Sequence, residues 1–70
     1  MFHVNQLVTY KNPTNSAQEK AVFKVIGFPA NKSEVYCEVV HFADSVITGW
    51  CFNFKITQLK PCVTYTFKEL

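Results

Sequence analysis

Residues 46–62 read VITGWCFNFKITQLKPC and carry the strongest pattern in the chain. The segment holds the only Trp, Trp50, together with Phe52, Phe54, Cys51 and Cys62. Trp50, Phe52 and Phe54 alternate with Cys51, Asn53 and Lys55. A repeat of two is the signature of a strand with two different faces. The spacing predicts a strand over 46–54. The next residues, 57–60, precede Pro61 and suit a single 3₁₀ turn, a conformation used in short connectors.

Working outward, the same alternation recurs on both sides. Downstream, Val63, Tyr65 and Phe67 alternate with Thr64 and Thr66, which predicts a closing strand over 63–67 and a short tail. Upstream, 34–42 reads EVYCEVVHF. Val35, Cys37 and Val39 share one face, opposite Glu34, Tyr36 and Glu38. The parity breaks at Val40, which predicts a bulge near Val39 and Val40. Residues 43–45 are a turn, and so is the Pro-Ala-Asn-Lys-Ser run at 29–33. Residues 20–28, KAVFKVIGF, are almost continuously apolar, as in a central strand covered on both faces. Gly27 marks a bulge or sharp bend within it. Residues 11–19 are polar and form a loop too long for a plain hairpin. Its alternative content is one helical turn from Ser16, with Ser16 as cap and Glu19 at the third position. A first strand spans 6–10, preceded by an arm that bends at Asn5 and Gln6, because Asn tolerates left-handed backbone.

Composition sets the frame. Seventy residues are one domain, spanning 1–70. A chain this short buries only about 60% of its unfolded surface. Apolar residues at 49%, with one Trp, three Tyr and seven Phe, offset that limit and exclude disorder. Charged residues make up 17%, against about 25% in an ordinary soluble domain. A surface so poor in charge favours a partner or self-association. All seven basic residues are Lys, and Arg is the residue of bidentate phosphate and guanine contacts. Sequence-specific DNA binding is therefore not expected. Weak, non-specific, salt-dependent contact with nucleic acid through Lys is the alternative.

Cys37, Cys51 and Cys62 are an odd number at wide spacing, which is no disulfide framework. The opening MFHVNQLV lacks the pattern of a signal peptide, and no apolar run is long enough for a membrane span. The expected compartment is a reducing cytoplasm. With His3 and His41 the thiols could supply metal ligands. Only Cys37 and His41 approach zinc-site spacing, however, and along a strand they stand ~13 Å apart. No metal and no cofactor are expected. Nor does any Cys have a base and an orienting group beside it, so no enzyme is expected either.

Five short strands, with a long first loop, two short turns and a 3₁₀ turn before the last strand, have to curl to protect their edges. This all-β order resembles the SH3-like small barrel. FHVNQLVTY at 2–10 looks like the opening of KOW- and Tudor-type barrels, with Phe2 and Val8 matching and Asn5-Gln6 replacing a Gly-Asp-type bend. Ile26-Gly27-Phe28 and Leu59-Lys60-Pro61 are also similar. The type II dihydrofolate reductases share the barrel and its size, and act as tetramers around a pore. Their Val-Gln-Ile-Tyr pore motif has no counterpart here, so no site residue is carried over from them.

The resemblance implies a binding module. Its partner is expected to be a protein or a second copy of itself, with non-specific nucleic-acid binding of KOW or Tudor type as the alternative and an oligomeric small-molecule enzyme resembling the type II dihydrofolate reductases as a third, lesser one. In barrels of this layout the first loop and the turn after the second strand flank one groove. That would gather Tyr10, Lys11, Asn12, Asn15 and Tyr36, with Trp50 at the edge. Phe52 and Phe54 are expected in the core, where alternate aromatics of a strand usually lie; the alternative is an exposed groove along Trp50, Phe52 and Phe54 of the kind on SH3 and Tudor surfaces.

Overall fold

The computed structural model describes residues 2–43 and 46–62. Among these, five strands form one antiparallel sheet in the order β4-β3-β2-β1-β5. They are β1 Leu7–Tyr10, β2 Val22–Gly27, β3 Glu34–His41, β4 Cys51–Lys55 and β5 Leu59–Pro61. The one α-helical turn, α1, spans Ser16–Glu19, and a 3₁₀ turn spans Ile56–Gln58. The protein is all-β.

Local chemistry explains most of these boundaries. Asn5 has φ 74°, and its amide donates to the Val25 carbonyl, so the arm bends there and joins β2. The long first loop contains the helical turn, but its cap is Asn15 rather than Ser16. The Asn15 side chain accepts from the Gln18 amide at 2.9 Å, and Gln18 Oε1 accepts from Thr14. Asn15 holds extended backbone, as a cap requires, whereas Ser16 is already helical.

β2 and β3 pair with two irregularities. Val22 opposes His41 and Phe23 opposes Val39, so Val40 is the extra residue. Val25 opposes Cys37 and Gly27 opposes Tyr36, so Ile26 is the second. Both positions were marked in the sequence, one by broken parity and one by Gly27. The consecutive residues Val22 and Phe23 are both buried, whereas Ile26 at the other end of β2 is exposed, so the start of β2 is covered on both faces.

Two predicted strands need correction. The run 46–54 is not one strand. Gly49, at φ 92°, lies in a turn over 46–49; its amide donates to Val39, and Trp50 donates back to Ile47. The ladder therefore starts at Cys51. The last strand among the described residues is Leu59–Pro61, placed on β1 with Val8 opposite Pro61 and Tyr10 opposite Leu59. The segment 63–67 lies outside the described residues.

The core is built from one face: Val8, Ala21, Phe23, Val25, Val35, Cys37, Val39 and Leu59, all buried. Phe2, Tyr10, Phe42, Ile47, Phe54 and Ile56 pack around it, each partly exposed. The sheet is strongly curled. In a flat sheet β1 and β4, three positions apart, would stand about 14 Å from one another. Instead the rings of Tyr10 and Phe54 lie 6.1 Å apart, and the Lys11 amide donates to the Gln58 carbonyl at 2.8 Å. The three-residue 3₁₀ turn carries the chain from one edge strand to the other, so the edges approach at that end. Among the described residues no ladder between β4 and β5 closes the sheet.

Candidate functional site

Antiparallel partners share a face, so the register sorts the side chains. Val35 opposes Phe54 and Cys37 opposes Phe52 on the inner face. Glu34 opposes Lys55, Tyr36 opposes Asn53 and Glu38 opposes Cys51 on the outer face. Among the described residues β4 is an edge strand, so its inner residues have a neighbouring strand on one side only. Their burial falls along the strand: Phe54 is half-buried, Phe52 is 38% exposed and Trp50, just before the ladder, is 58% exposed.

The three rings continue a stack that starts in the core. Phe23 and Phe54 are 4.7 Å apart, Phe54 and Phe52 6.4 Å, and Phe52 and Trp50 6.2 Å. Phe52 thus departs from its expected place in the core, because no strand covers it on the open side of β4. Phe54 reaches the core by packing between Phe23 and Tyr10. The result is an aromatic row, rigid at one end and open to water at the other. Aromatic surface of this kind is the usual anchor of a protein interface.

The residues predicted to share one groove are not brought together. Tyr10 is half-buried on the inner face, its ring edge-on to Phe23 at 5.3 Å. Burial pushes its phenol above the ordinary value. Lys11, Asn12 and Asn15 are exposed along the first loop, and the Asn15 carboxamide is engaged in capping α1. Tyr36 is exposed on the outer face, opposite in direction to Tyr10. Its phenol is raised by the charge of Cys51, then by a hydrogen bond to that side chain and then by burial. Trp50 is exposed and adjoins the partly exposed Phe52.

Burial, aided by the charge of Cys51, pushes the Cys37 thiol up to about 11, whereas reactive thiols are lowered. Among the described residues no three His, Cys, Asp or Glu side chains are placed to hold a metal ion. No described helix is long and apolar enough to cross a membrane. The lysines are diluted by acid: Lys24 Nζ lies 3.9 Å from Glu38 Oε1, and Lys55 stands opposite Glu34.

A second exposed apolar area lies at the far end of β2. There the bond from Asn5 to Val25 sets Val4 beside a strand end that also exposes Ile26 and Phe28. Comparison with known proteins finds no matching family model, no matching curated protein and no matching solved structure.

Proposed function

We propose that this chain is a non-catalytic SH3-like barrel module, working in a reducing cytoplasm, that binds protein through the open edge of β4. The strand order, the curl that brings Tyr10 to Phe54, and the 3₁₀ turn before β5 support the barrel. The observation that carries the function is the aromatic row from Phe54 to Trp50, which leaves the core and ends on an edge that no strand pairs among the described residues. Such an edge offers main-chain hydrogen bonds for affinity and alternate side chains for specificity. Outward placement of Glu34 and Glu38 beside Lys55 and Lys24 weighs against a phosphate-binding face.

The test is capture from a cell extract on the immobilised chain, with and without nuclease, using the parent and Trp50→Ala. Proteins retained after nuclease by the parent and lost by Trp50→Ala support the reading. Retention that vanishes with nuclease, or that ignores the Trp50 change, overturns it.

A further inference from the structure

The two edges of the sheet differ in their protection. β5 is three residues long and carries Lys60 and Pro61. Short length, Lys and Pro are the usual means of blunting an edge. β4 has five residues, and Cys51, Phe52 and Asn53 bear neither charge nor Pro. The hydrogen-bond phase of β4 is fixed by its flanks. The Val39 amide donates to Trp50 at 2.8 Å and the Ile56 amide to Ser33 at 2.9 Å, both in the register that pairs Cys37 with Phe52. The even-numbered residues of β4 therefore bond to β3. Alternation turns the backbone groups of Cys51, Asn53 and Lys55 outward. Lys55 already donates to Gln58 Oε1 at 3.0 Å, which leaves Cys51 and Asn53 to present amides to solvent.

We propose that this edge pairs with the same edge of a second copy of the chain, antiparallel, about a two-fold axis at Phe52. The proposal rests on the binding-surface reading above and names its partner. Hydrogen-bond phase selects the register: outward residues have to meet outward residues. With the axis at Phe52, Cys51 meets Asn53 of the second copy and Asn53 meets its Cys51, each pair exchanging both bonds. The Lys55 amide keeps Gln58. The side chains agree. Phe52 meets its own counterpart, and Trp50 meets Phe54 of the second copy, in the non-hydrogen-bonded pairs where side chains come closest. Both exposed rings are then covered. Charge also agrees, since the facing outer residues are the neutral Cys51 and Asn53. The nearest charges across the junction are Lys55 of one copy and Glu38 of the other, of opposite sign. An axis at Asn53 would keep the phase, but it would require the occupied Lys55 amide and set Trp50 against Ile56.

The test uses the purified full chain. Sedimentation over a wide concentration range is expected to show a dimer for the parent and a monomer for Asn53→Pro, with the variant still folded by its melting curve. Proline there removes only an outward amide, which an edge strand tolerates. Phe52→Cys in a Cys37→Ala, Cys51→Ser background is expected to form a reducible dimer with oxidised glutathione, because axial residues of this pairing lie within disulfide reach and no thiol of the same chain then faces position 52. Asn53→Cys in the same background, and the background itself, are expected not to. A parent that stays monomeric, or cross-linking of Asn53→Cys in place of Phe52→Cys, overturns the proposal. If the monomeric parent still retains protein from nuclease-treated extract, and Asn53→Pro does not, self-pairing falls while the binding surface stands. If it retains none, both fall.

Discussion

Phe52 and Cys37 are partners across the β3–β4 ladder and point to the same face, yet Cys37 is fully buried and Phe52 is 38% exposed. The difference is lateral. β3 is flanked on both sides, by β2 and β4, and β4 by β3 alone. The same side-chain direction thus yields a core position on one strand and a surface position on the next.

Stability should follow that difference. Phe23→Ala, at a site 1% exposed, is expected to cost about 3–5 kcal/mol, comparable with the whole stability of a small domain. Phe52→Ala, which loses only partial burial, is expected to cost roughly 1–2 kcal/mol. Denaturant melts of the two variants beside the parent check this, with the dilute protein used so that association adds nothing.

Alkaline pH should unfold the chain through Cys37. Its thiol is raised from 9.0 to about 11, mainly by burial. Below pH 9 the native and unfolded chains both hold the proton, and the stability is fully present. As pH rises from 9 towards 11 the unfolded chain ionises while the native one does not, so stability falls, by an amount on the order of 2–3 kcal/mol. Tyr10, also raised by burial, adds a loss of the same sign at higher pH. Denaturant melts at a series of alkaline pH values should show the slope in the parent and a shallower one in Cys37→Ala.

Backbone handedness gives an independent check at Asn5, where φ is 74°. Asn5→Gly is expected to change stability by only about a few tenths of a kcal/mol, since Gly accepts this region freely. Asn5→Val places a branched side chain there and is expected to cost about 1–2 kcal/mol. Thermal melts of the pair decide it: equal losses would mean that the bend at Asn5 does not constrain the arm.

Features set by one or two residues were legible in the sequence. Asn5 marked the left-handed bend, Gly27 and the parity break at Val40 marked the two β2–β3 irregularities, and the approach to Pro61 marked a 3₁₀ turn, although it spans Ile56–Gln58 and the expected turn residues Leu59 and Lys60 belong to β5. Features set by lateral neighbours were not. Phe52 and Phe54 carry the same pattern as Val35 and Cys37, and only the strand order shows that β4 lies at an edge. Tyr10 beside a polar loop looked like surface, but its parity with Val8 aims it at Phe23, and curling of the sheet brings Phe54 to its other side. Gly49 was visible, yet the alternation after it was strong enough to hide the turn that it makes.

The proposed binding surface has its outer end at the exposed Trp50. Trp50 is the only Trp in the chain, so its fluorescence reports that surface alone. In dilute solution its emission should lie at the long-wavelength, water-exposed limit and be quenched freely by acrylamide. It should shift to shorter wavelength and resist quenching as the protein is concentrated, and Asn53→Pro should abolish that change. Emission that is already short-wavelength and protected in the dilute, monomeric chain, and unchanged on concentration, would contradict the claim.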